Sequence, residues 1–113
     1  MFLKFVIFVL LIVFLASDQD RITFKVVNKS KHTLSQIRLF AMNLEETLAP
    51  TEETKYYQVN ASFSSQEAVL MLFSEGVNYG IYVPVPQENG YISYIVDSID
   101  VKNRNIMVTF QAD

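Results

Sequence analysis

The chain has 113 residues, with 9 Lys and Arg against 12 Asp and Glu and no cysteine, so it has room for one modest domain. The missing thiols exclude a disulfide-stapled scaffold and a cysteine nucleophile. A formal net charge of −3 disfavours nucleic acid as a partner, because phosphate binding depends on clustered cations.

The amino-terminal segment predicts export. Lys4 is followed by the uncharged apolar run from Phe5 to Ala16, and polar residues begin at Ser17. A helix over that run would be about 18 Å long, short of the roughly 30 Å hydrocarbon core of a bilayer. We therefore expect residues 1–17 to form a signal helix that is cleaved after Ser17, and residues 18–113 to form the mature domain. The alternative is that the segment is retained as a thin membrane anchor.

The cysteine count also narrows the compartment. Without a cysteine after the apolar run there is no site for a bacterial lipoprotein anchor, so we expect a periplasmic or secreted product that meets the membrane only through an uncleaved signal segment. Small domains of the eukaryotic secretory route are usually rich in disulfides, and this favours the bacterial cell envelope.

Side-chain alternation with a period of two runs through most of residues 18–113 and predicts an all-β chain. The predicted strands, in chain order, are Arg21–Asn28, Leu34–Met42, Lys55–Asn60, Glu67–Phe73, Val77–Val83, Tyr91–Asp97 and Asn105–Gln111. Seven strands at roughly ten-residue spacing predict an antiparallel β-sandwich of the immunoglobulin-like type.

The segments between the predicted strands contain residues that favour turns and irregular structure. Residues 43–54 read as an irregular connection around a short extended piece at Thr47–Ala49, because Pro50 interrupts any helix. Residues 61–66 form a serine-rich spacer. Asn89 and Gly90 favour a tight reversal over residues 87–90, and residues 102–105 read as a hairpin tip.

Two strands have predicted positions in the sheets. Glu67–Phe73 is apolar on both faces, which is typical of a strand at the centre of a domain. Val77–Val83 must end at Pro84 or run along a sheet edge, since proline cannot donate a hydrogen bond to a neighbouring strand.

Groups that could carry catalysis are scarce. His32 is the single histidine, which rules out a site of two or three imidazoles within one chain. Asp97 and Asp100 could pair as a glycosidase acid and base, or with Ser98 supply oxygen ligands to calcium, but no calcium-loop pattern surrounds them. We expect neither an enzyme, nor a metal site, nor a cofactor, and we expect these aspartates to end a strand and accept turn hydrogen bonds.

Tyrosine is the most suggestive residue type. Alternation places Tyr79 and Ile81 inward and Tyr82 outward; it likewise turns Tyr94 inward and Tyr91 outward. Outward tyrosines on adjacent strands would form a platform for a partner protein or a sugar, or would simply stabilise a sheet by pairing across strands.

The acidic residues cluster in one connection. Glu45, Glu46, Glu52 and Glu53 follow a basic early region. They form either a solvated loop or a surface that steers a basic target.

The opening of the mature region resembles a known class of domain. Residues 22–53 read I-x-F-x-V-x-N-x-S, then L-x-x-I-x-L, then L-x-P-T-E. This is similar to small immunoglobulin-like or transthyretin-like sandwich domains of bacterial envelope proteins, and the resemblance implies fold and compartment but no functional residue. Where such turns often have Pro-Gly-Glu, this chain has Pro50, Thr51 and Glu52, which puts the tight turn in question.

Together these features predict an exported, non-catalytic binding or structural module of the bacterial cell envelope. Its partner would be another protein or an envelope component, met through the tyrosine-bearing sheet face or the strand edge near Pro84. The alternative is an extracytoplasmic inhibitor or immunity protein that blocks a toxin or hydrolase with residues 45–53.

Overall fold

The computed structural model describes residues 21–60, 68–85 and 90–113. These contain eight strands: β1 Arg21–Asn28, β2 Ser35–Leu39, β3 Met42–Asn43, β4 Tyr57–Asn60, β5 Val69–Ser74, β6 Val77–Tyr82, β7 Gly90–Asp100 and β8 Asn105–Ala112. The predicted signal helix, its cleavage after Ser17 and the spacer at 61–66 lie outside the described residues. Within the described ranges there is no helix of the length and apolarity that crossing a membrane requires.

The strands form two four-stranded sheets in a sandwich-like arrangement. The first sheet has the order β4-β1-β7-β8 and the second has the order β3-β2-β5-β6. Buried side chains from both sheets belong to one hydrophobic cluster, because alternation gives each strand one apolar face. The predicted all-β class is therefore confirmed.

The predicted strand Leu34–Met42 is wrong as a single element. Phe40 and Ala41 have φ angles of 54° and 59°, which turn the chain between β2 and β3 so that Leu39 faces Met42 in an antiparallel pair. Phe40 is 4% exposed and packs edge-on against Phe24 with ring centroids 5.2 Å apart. Burial of this ring in the core accounts for the break, which raises the strand count from seven to eight.

The antiparallel prediction is wrong for one central pair of strands. β1 and β7 run parallel, from Ile22 opposite Gly90 to Asn28 opposite Val96. The predicted turn over residues 87–90 lies, apart from Gly90, outside the described residues; Gly90 begins β7, and β6 and β7 lie in different sheets. Parallel neighbours need a long crossover connection, and here the second sheet and β4 lie between them in the chain.

The second sheet agrees with the predicted strand positions in part. β5 is an inner strand and β6 is an edge strand, as expected. Only one face of β5 is covered, however: Leu70 and Leu72 are fully buried, whereas Met71 is 46% exposed. The apolar residues on both faces of β5 therefore indicated an inner strand, but not one that is covered on both sides.

A fully buried asparagine organises the turn between β1 and β2. The Asn28 side-chain amide donates to the carbonyl oxygens of His32, at 2.8 Å, and Leu48, at 3.1 Å. Its oxygen accepts from the Ser30 backbone N–H at 2.9 Å and from the Ser30 hydroxyl at 2.6 Å. Leu34 and Leu48 exchange two backbone hydrogen bonds of 2.8 Å, which confirms the short extended piece within residues 43–54.

The tight turn at Pro50 forms without glycine. The Glu52 N–H donates to the Ala49 carbonyl at 3.0 Å, and the Glu52 carboxylate accepts from the Ala49 N–H at 2.6 Å. Thr51 has a φ of 75°, at the position where a type II turn needs a positive φ and usually has glycine or asparagine. The chain thus keeps the turn geometry at the cost of backbone strain in Thr51.

Candidate functional site

Two exposed tyrosines meet on the outer face of the first sheet. Tyr91, in β7, is 55% exposed, and Tyr56, just before β4, is 40% exposed. Their rings pack edge to face with centroids 5.0 Å apart. β1 lies between β4 and β7 in this sheet. We call Tyr56 and Tyr91 the tyrosine pair.

Hydrogen bonds to Asp113 hold the tyrosine pair in place. The Tyr56 hydroxyl and the Ser93 hydroxyl both donate to the Asp113 carboxylate at 2.9 Å. The Asp113 N–H donates to the Tyr91 carbonyl at 2.8 Å. The nearby carboxylate raises the pKa of Tyr56 above its usual value, because the hydroxyl donates to it. Ser93 is only 3% exposed in this network.

A lysine covers one ring of the pair. Lys25 Nζ lies 5.0 Å from the Tyr56 ring centroid and 3.2 Å from Glu53 Oε1. The hydrogen bond to Glu53 raises the Lys25 pKa, so the ammonium stays charged beside the ring. Both charges are at the surface, where an ion pair contributes little to stability but fixes the positions of the side chains. The tyrosine pair is therefore a rigid aromatic surface with a charged rim.

Tyr82 lies elsewhere. It is in β6, opposite Val69 in the second sheet, and is 71% exposed. Alternation predicted the outward direction of Tyr82 and Tyr91 correctly. The structure does not bring these two tyrosines together, because their strands belong to different sheets. Tyr91 instead contacts Tyr56, across the intervening strand β1.

Most of the four glutamates are already bonded within the chain. Three of them are engaged within the chain: Glu46 accepts from the Tyr57 hydroxyl at 2.5 Å, Glu52 caps its own turn, and Glu53 pairs with Lys25. Glu45 is exposed, with a φ of 46°. Burial, reinforced by Glu46, raises the pKa of Tyr57 to about 12.

A cleft lies between the turn after β1 and the last residues of β7. It has a volume of about 150 Å³ and is lined by Lys29, Ser30, Lys31, His32, Asp97, Ser98 and Ile99. His32 Nδ1 lies 3.3 Å from Glu75 Oε1. Asp97 accepts a hydrogen bond from the Thr109 hydroxyl across the β7–β8 ladder. The first contact joins the turn after β1 to the turn after β5, and the second joins β7 to β8.

Asp100 stabilises the β7–β8 hairpin. Its carboxylate accepts from the Asn103 backbone N–H at 3.1 Å and from the Asn103 amide at 2.7 Å. These bonds lower its pKa, whereas a general acid needs a raised one. Across the described ranges, no three His, Asp or Glu side chains come together in a way that could hold a metal ion.

Family models, curated proteins and solved structures were compared with the chain, and none matches it. Sequence reasoning missed Tyr56 and Asp113. The dipeptide Tyr56-Tyr57 contained a signal for the first, since adjacent strand residues face opposite sides and one of the two had to point outward.

Proposed function

We propose that the protein is a non-catalytic binding module that recognises a protein or another component of the bacterial cell envelope through the tyrosine pair. The observation that carries this proposal is the edge-to-face contact of Tyr56 and Tyr91, 5.0 Å between centroids, with both rings 40% or more exposed. Exposed tyrosine is the side chain that binding surfaces use most for large contact area with few rotatable bonds.

The rigidity of the surface supports binding. Asp113 accepts from Tyr56 and donates to the Tyr91 carbonyl, so both members of the pair are positioned before any ligand arrives. Preorganised side chains avoid the entropic cost of ordering on binding. Lys25 and Glu53 add a polar rim beside the rings, as recognition surfaces commonly have.

The proposed compartment and fold family rest on the sequence. The apolar leader at residues 5–16 supports export, and the absence of cysteine supports a bacterial envelope protein without a lipid anchor. The immunoglobulin-like assignment rests on the resemblance of residues 22–53. A non-catalytic role is supported by the bonds that engage Asp97 and Asp100 in structural tasks.

An inhibitor or immunity role for the acidic connection is the less favoured function. Glu46, Glu52 and Glu53 already bond to Tyr57, Ala49 and Lys25. A target that used them would have to compete with those bonds. Glu45 is the remaining glutamate. The substitution Glu45→Gln, which removes its charge, would test the inhibitor or immunity role.

Serine substitutions test the proposed surface. Immobilised full chain is exposed to an envelope extract of the source cells, and specific capture is compared for wild type, Tyr91→Ser and Tyr82→Ser. Both residues are exposed strand tyrosines, so the second variant is a matched control on the other sheet. We expect Tyr91→Ser to lose about tenfold or more in apparent affinity and Tyr82→Ser to bind normally. Equal binding by Tyr91→Ser, or a loss confined to Tyr82→Ser, would overturn the proposal.

A further inference from the structure

Among the described residues, the outer edge of β8 offers a row of unpaired backbone groups. The Asp113 N–H bonds to the Tyr91 carbonyl at 2.8 Å, which makes residues 113 and 91 a hydrogen-bonded pair of the antiparallel ladder. Bonding alternates along such a strand, so Val108, Phe110 and Ala112 direct their N–H and C=O groups away from β7. None of the described strands pairs with this edge.

The composition of this edge leaves it open to pairing. Asn105–Ala112, eight residues long, contains no charged residue and no proline. Natural edge strands are usually protected by lysine, by proline or by being very short. Val108 and Phe110, which face the core, are only half-buried, so an added strand would cover them further.

The residues flanking the strand have opposite charges. Arg104, immediately before β8, and Asp113, immediately after it, are both exposed. In an antiparallel pair of identical strands, the start of one strand lies beside the end of the other. Arg104 of each copy would therefore lie next to Asp113 of the other copy, at both ends of the pair.

We infer that a second copy of this chain pairs along β8, so that the two first sheets join into one continuous eight-stranded sheet across a two-fold axis. The inward faces must match, since a slip by one residue would expose the core residues of one copy. When Asp113 is counted in the ladder, the register that satisfies this rule with the longest overlap pairs residues 105–113 of the two copies, with Thr109 opposite Thr109 and Val108 opposite Phe110. Threonine pairs and aromatic–β-branched pairs are both favourable across strands.

A second copy fits this edge better than an unrelated strand. Backbone groups select any extended chain, whereas the flanking charges favour a strand with the opposite order of charges, which the same sequence running in the opposite direction supplies. Two-fold dimers are also the commonest assembly of soluble proteins. The dimer goes beyond the proposed function and is independent of it; it would place two tyrosine pairs on the same face of the joined sheet.

Single cysteines in this cysteine-free chain test the register. Thr109→Cys places the two thiols opposite each other at the axis, within disulfide reach, whereas Gln111→Cys places each thiol opposite Met107. Both positions are exposed residues of β8. Under mild oxidation of the full chain we expect a covalent dimer from Thr109→Cys, formed at least tenfold faster than from Gln111→Cys. Equal rates, or no cross-linking in either variant, would refute the register.

Lysine at the same two positions tests the association itself. Thr109→Lys places two ammonium groups opposite each other at the two-fold axis of the dimer. Gln111→Lys adds the same charge without a like-charged neighbour. In sedimentation equilibrium of the full chain, we expect wild type and Gln111→Lys to dimerise and Thr109→Lys to be weakened at least tenfold. A monomeric wild type, or a dimer unaffected by Thr109→Lys, would overturn the inference.

Discussion

Asn28 Nδ2 donates to the carbonyl oxygen of Leu48, 20 positions further along the chain, at a distance of 3.1 Å. This bond joins the end of β1 to the irregular connection that follows β3. It also fixes the position of the backbone bridge between Leu34 and Leu48, through which the second sheet is attached to that connection.

Asn28→Ala should destabilise the fold by about 3 kcal/mol, because it leaves buried carbonyls and a buried N–H without partners. Urea unfolding followed by circular dichroism measures the loss. Asn78→Ala, at an exposed position in β6, is the control and should stay within about 0.5 kcal/mol of wild type. A similar effect at both positions would show that the Asn28 network contributes nothing particular.

Two core tyrosines should respond in opposite directions to loss of the hydroxyl. In the part of the chain that the structure describes, the Tyr79 hydroxyl is buried without a hydrogen-bond partner, whereas the Tyr94 hydroxyl donates to the Pro84 carbonyl at 2.8 Å. Tyr79→Phe should therefore raise the free energy of unfolding by up to about 1 kcal/mol, and Tyr94→Phe should lower it by about 1 kcal/mol. Thermal melts of both variants measure these changes. A stability loss in Tyr79→Phe would contradict the conclusion that the Tyr79 hydroxyl has no hydrogen-bond partner among the described residues.

Glycine exchange at two turns should also give opposite results. Thr51 and Gly76 have φ angles of 75° and 76°, so both occupy the left-handed region. Thr51→Gly should stabilise the protein by about 0.5–1 kcal/mol because relief of strain exceeds the added chain entropy. Gly76→Ala should cost about 1 kcal/mol, although nothing lies within 4 Å of the added Cβ.

Denaturant midpoints of the two turn variants provide the test. Gly80→Ala serves as the control, since its added Cβ would make ordinary contacts of 3.9 Å with Met71 and 4.0 Å with Val69. That variant should be close to wild type in stability. If Thr51→Gly were less stable than wild type, the turn would carry no strain.

Stability should fall at high pH because of Tyr57. Its pKa rises from 10.0 to about 12 in the folded protein, so the folded state retains a proton that the unfolded state releases. The resulting stabilisation is complete below pH 10 and is lost as the pH rises towards 12. Tyr57→Phe removes this dependence but also the bonds to Glu46 and Leu44.

The test for Tyr57 is therefore the difference in unfolding free energy between wild type and Tyr57→Phe. Wild type should exceed Tyr57→Phe in unfolding free energy at pH 9, and the gap should narrow steadily as the pH is raised to 12. Urea titrations at several pH values provide the data. A constant gap over that window would mean that the Tyr57 hydroxyl titrates alike in the folded and unfolded chains.

Alternation predicts which residues face the core, and in this chain it located most of the strands. Ile22, Phe24 and Val26 alternate along β1 and are buried, and Tyr82 and Tyr91 point outward as predicted. The strand break at Phe40 was not visible, because its ring fills a space created by residues distant in the sequence. The pairing of strands could not be predicted either. β1 pairs with β7 through contacts between residues that are far apart in the sequence.

The same limit applies to the candidate site. Outward tyrosines follow from local alternation, but whether two of them meet depends on which strands are neighbours. Tyr56 and Tyr91 lie on either side of the single strand β1 in the first sheet, so their side chains can reach each other across it. The glutamates likewise looked like one charged surface in sequence, whereas Lys25 and Tyr57 engage two of them from distant positions.

The parallel pairing of β1 with β7 constrains how the protein is made. Among the described strands, β1 has as a central neighbour β7, which is synthesised about 60 residues later, so the first sheet cannot close until β7 is available. Contacts between such distant segments fold slowly. Until that point β1 has only β4 as a strand neighbour in the first sheet, so this sheet is completed later than the second, whose four strands all precede β7.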